Sequence, residues 1–123
     1  MHLSREAFRG LVLEALEGLP EDFLDRMDNC DVVTQDWPDS HQLDLGSSGS
    51  RYDLLGLYEG IPLTERDFYD LVLPDKITLF QRPLEAICPT KEEVVEQVRI
   101  TVAHEIAHHF GIDDERLEEL GLG

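Results

Sequence analysis

The sequence predicts an α+β fold. Apolar residues recur at helical spacing near both ends of the chain, short β-branched or aliphatic runs lie between, and polar turns separate the two kinds of segment. The 123 residues fit one domain spanning 1–123, long enough to bury a sizeable core. With 41% hydrophobic and 30% charged residues, the balance excludes global disorder.

Residues 4–19 read as an amphipathic helix. Phe8, Leu11, Val12, Ala15, Leu16 and Leu19 share one face, Ser4 caps the start, and Gly18 and Pro20 punctuate the end. A short second helix is expected to turn Phe23, Leu24 and Met27 inward and stop at Asn29. Val32, Val33 and Thr34 favour a strand that ends at Trp37-Pro38. Residues 38–50 are polar and turn-rich, so a loop is expected there. Its Gly46-Ser47-Ser48-Gly49-Ser50 lacks the lysine and the strand-to-helix context of a phosphate cradle.

Residues 54–58 read as a second strand interrupted by Gly56, the mark of a bulge or a close backbone approach. Residues 62–70 suggest a turn with one helical turn capped by Thr64. Residues 76–82 alternate as a strand, and Pro83 and Pro89 bracket the connection that follows. Thr90 and Glu93 then form a capping-box pattern that opens the longest helix, which runs to about Phe110 and stops at Gly111. A last short helix covers residues 114–120.

Charge narrows the function. Twenty-seven acidic against 10 basic residues give a formal charge of −17. Such a surface repels phosphate backbones and anionic lipid, so no nucleic-acid or membrane partner is expected. Cys30 and Cys88 cannot by themselves make a metal cluster or a disulfide framework. The chain shows neither a basic segment leading into an apolar signal core nor an apolar run of membrane-spanning length, so the expected location is the cytoplasm.

The chemistry is concentrated in the long helix, at His104-Glu105-Ile106-Ala107-His108. Histidines at i and i+4 project from one helix face, one turn apart, and can converge on one ion. Glu105 stands beside that pair, where a general base for an attacking water belongs. Two neutral imidazoles suit one Zn²⁺ per chain. Ordinary residue frequencies make this pattern a chance event in roughly one chain in a few hundred. Val95, Val98, Val102 and Ile106 form the face expected to bury against the sheet, with Ala103 and Ala107 permitting close packing on another side. His109, rotated about 100° from His108, is expected to pack toward the valine face and not to ligate.

A third ligand is needed. From His104 the chain continues as His-Glu-x-x-His-x-x-Gly-x-x-Asp. Gly111 can end the helix in a left-handed turn and bring Asp114 back toward the ion. Asp113 can substitute if the turn differs by one residue, and Asp114 can instead cap the last helix. Glu115, Glu118 and Glu119 leave little chain to form and reverse a separate ligand helix.

These features resemble the minimal zincins, small bacterial zincin-like metallopeptidase domains. The resemblance rests on residues 54–66, on the strand from Ile77 to Arg82, and on His104 to Asp114. It implies a mixed, twisted sheet packed on the active-site helix and a peptide or protein substrate. It also implies an antiparallel edge strand along the cleft, for which Leu54, Leu55, Gly56, Leu57, Tyr58 and Glu59 are the candidates. An extended peptide would add to such an edge by main-chain hydrogen bonds, with Gly56 permitting close approach. The chain departs from the metzincin relatives in having methionines only at positions 1 and 27, hence no methionine turn after the third ligand. Tyr52, Tyr58 and Tyr69 are the candidates for a transition-state partner.

The expected activity is zinc-dependent peptide hydrolysis, with His104, His108 and Asp114 as ligands and Glu105 as general base. One alternative is a non-catalytic zinc-binding or interaction module. Another is a metal-dependent endoribonuclease, since some of these carry a similar helical histidine motif. They lack the glutamate after the first histidine, and the acidity here opposes an RNA substrate.

Overall fold

A computed structural model describes residues 2–46, 49–60 and 74–122. In chain order the elements are α1 (Arg5–Glu17), α2 (Glu21–Arg26), β1 (Cys30–Gln35), α3 (Ser40–Leu45), β2 (Gly56–Glu59), β3 (Asp75–Phe80), α4 (Gln81–Ile87), α5 (Lys91–Phe110) and α6 (Asp114–Glu119). The α+β expectation holds. The turn expected over residues 62–70, with its Thr64 cap, lies outside the described residues.

The three strands form a mixed sheet in the order β1-β3-β2. β1 runs parallel to β3, pairing Val32 with Ile77, and β2 runs antiparallel to it, pairing Tyr58 with Ile77. Among the described residues β2 therefore stands at an edge of the sheet, where the resemblance implies one. It is shorter than the sequence suggests. Leu54 and Leu55 precede it, although the Leu55 carbonyl still accepts a bond from the Phe80 amide at 3.0 Å.

α5 is the central helix. Thr90 Oγ1 accepts from the Glu93 amide at 3.2 Å to cap its start. Its end is set by Gly111, at φ 74°, and by the Ile112 amide reaching back to the Ala107 carbonyl at 2.8 Å. Its buried residues are Val94, Val98, Thr101, Val102, Ala103, Ile106 and Ala107. Val94 takes the core position expected of Val95, which is half-buried. The buried arc is wide because α1 packs on α5 as well as β2 and β3. Each large apolar side chain in it contributes about 1.5–3 kcal/mol.

α1 contributes Phe8, Val12 and Ala15 to this core, and Ser4 caps it through the Ala7 amide at 3.1 Å. In α2, Phe23 is buried as expected, but Leu24 is 41% exposed. Six residues make fewer than two turns, so one inward anchor exhausts the buried face.

Two further expectations are corrected. The polar stretch after Pro38 contains α3. Asp39 caps it by accepting from the Gln42 amide at 2.8 Å, and the Gln42 side chain returns the bond to the Asp39 amide. The strand expected over residues 76–82 ends at Phe80, where the chain turns directly into α4. Pro83 lies in the first turn of α4, where its missing N–H leaves no helical bond unmade.

α4 also anchors the N-terminus. Glu85, 5% exposed, accepts from the Leu3 amide at 2.7 Å and from Arg82 at 2.8 Å. Gln81 donates to the Leu3 carbonyl at 2.8 Å. Cys30 and Cys88 are free thiols. Among the described residues no helix is long and apolar enough to cross a membrane.

Candidate active site

The site is built where α5 crosses the edge strand β2. Gly56 makes the crossing close. A Cβ there would lie 2.7 Å from Thr101 Cγ2, so the glycine accommodates the helix. The close approach expected at Gly56 is thus shown for α5.

His104 and His108 sit one turn apart on α5, with ring centroids 6.2 Å apart. His104 is half-buried, and its Nε2 is buried without a hydrogen-bond partner among the described residues. A buried ring nitrogen normally finds a partner. An unpartnered one beside a second imidazole fits a ligand awaiting a cation. His108 is exposed on the solvent side of the same turn.

Glu105 lines one cavity with both histidines and reaches the edge strand. Its Oε1 accepts from the Tyr58 amide at 3.1 Å. Burial raises its pKa above the usual carboxylate range, opposed by that amide and by the two histidines. Two cavities adjoin here, of about 430 Å³ and about 320 Å³. Leu54, Gly56, Glu105 and His108 border both. The larger also has Leu45 and Leu57 on its wall, and the smaller has Asp53 and His104.

Of the expected edge-strand residues, Leu54, Gly56, Leu57 and Tyr58 line the larger cavity and Leu55 the smaller, while Glu59 pairs with β3 across from Lys76. Leu45 carries no signal of its own in the sequence because it sits on α3, which the hydrophobic pattern does not reveal. It is 50% exposed and carries an apolar wall to the cleft. The pattern Asp39-x-x-Gln42 was the available signal, a capping box of the less familiar residue types.

Asp114 is not among the residues that border these two cavities. After Gly111 the chain turns toward α2, and Asp113 borders a hollow shared with Asp22 and Arg26. Asp113, not Asp114, caps α6, accepting from the Arg116 amide at 2.9 Å. Asp114 is exposed in the first turn of α6. Among the described residues, no three His, Cys, Asp or Glu side chains are grouped so as to hold a metal ion.

His109 does not reach the valine face. It stacks on Tyr58, with centroids 4.0 Å apart and planes 24° apart, and its Nε2 lies 4.0 Å from Asp75 Oδ2. The Tyr58 hydroxyl donates to the same Asp75 oxygen at 2.6 Å. Burial and that bond raise the tyrosine's pKa. Cys30 belongs to the same corner, its thiol pushed up to about 11 by burial and then by Asp75. Tyr52 is 51% exposed and packs edge-on to Trp37 at 5.0 Å. Tyr69 lies outside the described residues.

No curated protein matches the chain. The family model of zincin-like metallopeptidases matches residues 27–123, which include the sheet, the edge strand and the histidine helix. The chain belongs to the zincin-like metallopeptidase family.

Proposed function

We propose that the chain is a zinc-dependent peptide hydrolase whose general base is Glu105. The observation that carries this reading is that Glu105, held by the amide of β2, lines one cavity with His104 and His108, and that His104 Nε2 has no hydrogen-bond partner among the described residues. His104 and His108 would hold the ion. Asp114 is the proposed third ligand, because the Asp113 carboxylate is engaged in capping. When bound, zinc supplies a Lewis acid that polarises a carbonyl and makes water more acidic.

The chain's own groups supply the rest. The main-chain groups of Gly56 and the carbonyl of Tyr58 face the side of β2 away from β3, which suits an extended peptide, while the Tyr58 amide is taken by Glu105. Glu105 accepts the proton from the attacking water and passes it to the leaving amine. Leu45, Leu54 and Leu57 give the larger cavity apolar walls for a substrate side chain. The partner is accordingly a peptide or protein.

The test is metal content after zinc reconstitution and desalting. The parent is expected to hold about one zinc per chain, from the single ligand set of this motif. His108→Ala should lose it, and Asp114→Ala should weaken it. Stoichiometric zinc retained in His108→Ala would overturn the ligand assignment. Zinc bound with no hydrolysis across a peptide library would instead favour an interaction module.

A further inference from the structure

Tyr58 meets α5 at two points. Glu105 and His109 are four residues apart on the helix and so share a face, one turn apart. The Tyr58 amide meets Glu105 at 3.1 Å, and the Tyr58 ring stacks on His109 at 4.0 Å.

The register explains the first contact. In an antiparallel pair, opposed residues alternate between hydrogen-bonded and non-bonded pairs. The Phe80 amide bonds the Leu55 carbonyl, so Leu57 and Glu59 also direct their main-chain groups at β3. Tyr58 directs its own outward, and the Glu105 carboxylate receives its N–H.

That donor needs support. β2 has four residues and, among the described residues, pairs only with β3. A glutamate side chain is also rich in rotamers, and one hydrogen bond orders it only if the donor is fixed. The stack provides a fixed point. Asp75 ties the tyrosine hydroxyl to the neighbouring strand at 2.6 Å and lies 4.0 Å from the imidazole. Phe110 closes the corner edge-on to both rings, at 4.9 Å from His109 and 6.4 Å from Tyr58. Gly60 leaves room for the imidazole, since a Cβ there would lie 3.3 Å from His109 Cε1.

We propose that His109 and Tyr58 are a positioning pair: their stack holds β2 against α5 so that the Tyr58 amide orients Glu105. The catalytic part of this inference rests on the reading of Glu105 as the base. The contact itself does not. His109 therefore acts through Tyr58 and takes no proton in the reaction.

Amide hydrogen exchange on the full-length, metal-free chain tests the contact without requiring activity. In Glu105→Ala, or in Glu105→Met if the first does not fold, the Tyr58 amide should exchange at least about tenfold faster. His109→Ala should accelerate it about threefold to tenfold, the range a stacked aromatic pair supports. His109→Phe keeps the stack and should leave the rate within about twofold of the parent. The Ile77 amide, in the central strand, should keep its rate in both His109 variants. An unchanged Tyr58 rate in His109→Ala, or equal acceleration in His109→Phe, overturns the proposal. In turnover of the zinc-loaded chain, His109→Ala should lower kcat about tenfold with KM unchanged, and His109→Phe should restore it. A parent inactive on every peptide would refute the peptidase reading, while the exchange rates would still decide the positioning pair.

Discussion

Gly56→Ala tests how the cleft is assembled. The new Cβ would lie 2.7 Å from Thr101 Cγ2 and 3.3 Å from both Leu79 Cδ2 and the Thr78 carbonyl oxygen. The first contact is about 1 Å inside ordinary carbon–carbon packing. Thr101 is β-branched, 9% exposed and on the central helix, so it yields poorly. Overpacking of this kind costs about 1–3 kcal/mol, which lowers the melting temperature of a domain this size by about 4–12 °C. The strain should push β2 from α5 and lengthen the Tyr58–Glu105 bond. Thr101→Ser removes the clashing methyl and keeps the hydroxyl that faces Gln97 at 3.5 Å. It should therefore restore most of the loss in the Gly56→Ala background. The assay is a double-mutant cycle by urea denaturation. If Gly56→Ala is as stable as the parent, or if Thr101→Ser couples to it by less than about 0.5 kcal/mol, the close packing argued for this crossing is refuted.

Other perturbations have defined outcomes. Asp39→Ala removes the cap of α3 and should cost about 1 kcal/mol in urea denaturation, loosening the helix that carries Leu45. Glu85 is pushed up by burial, but its bonds from Arg82, Leu3 and Gln81 outweigh this and leave its pKa lowered from 4.5. Its stabilising contribution is thus present above the unfolded value and lost as pH falls below about 4.5 through the folded pKa. Glu85→Gln should destabilise the chain at pH 7 and flatten the acid limb of its stability profile; parallel profiles for variant and parent would contradict this. Ile106→Ala empties a fully buried position on α5 and should cost about 2–5 kcal/mol, measured by the same denaturation.

Legibility in the sequence followed the strength of local signals. α5 announced itself through Thr90, Glu93 and Gly111, and the structure uses Thr90 and Gly111 at its two ends. α3 was hidden because its buried residue is the polar Gln42, which no hydrophobic pattern reveals. The end of β3 is obscured for a related reason. Gln81 is fully buried, and Pro83, which in sequence brackets a connection, suits the first turn of a helix. The histidine pair and Glu105 were legible because i, i+4 geometry needs only one helix. The cap at α6 fell to Asp113 because an N-cap precedes the first helical residue, a distinction of one position that sequence resolves poorly. His109, Tyr58 and Asp75 meet across three elements, so their contact was beyond any local pattern.

The most direct test of the central claim is peptide-bond cleavage by the zinc-reconstituted chain on a mixed peptide library read by mass spectrometry, beside Glu105→Gln at equal zinc content. The account predicts defined new peptide termini from the parent, abolished by chelator and restored by zinc, and loss of at least about a hundredfold in rate in the variant. Equal cleavage by Glu105→Gln would contradict the role of Glu105. Zinc-loaded parent chain that cleaves nothing would contradict the hydrolase itself.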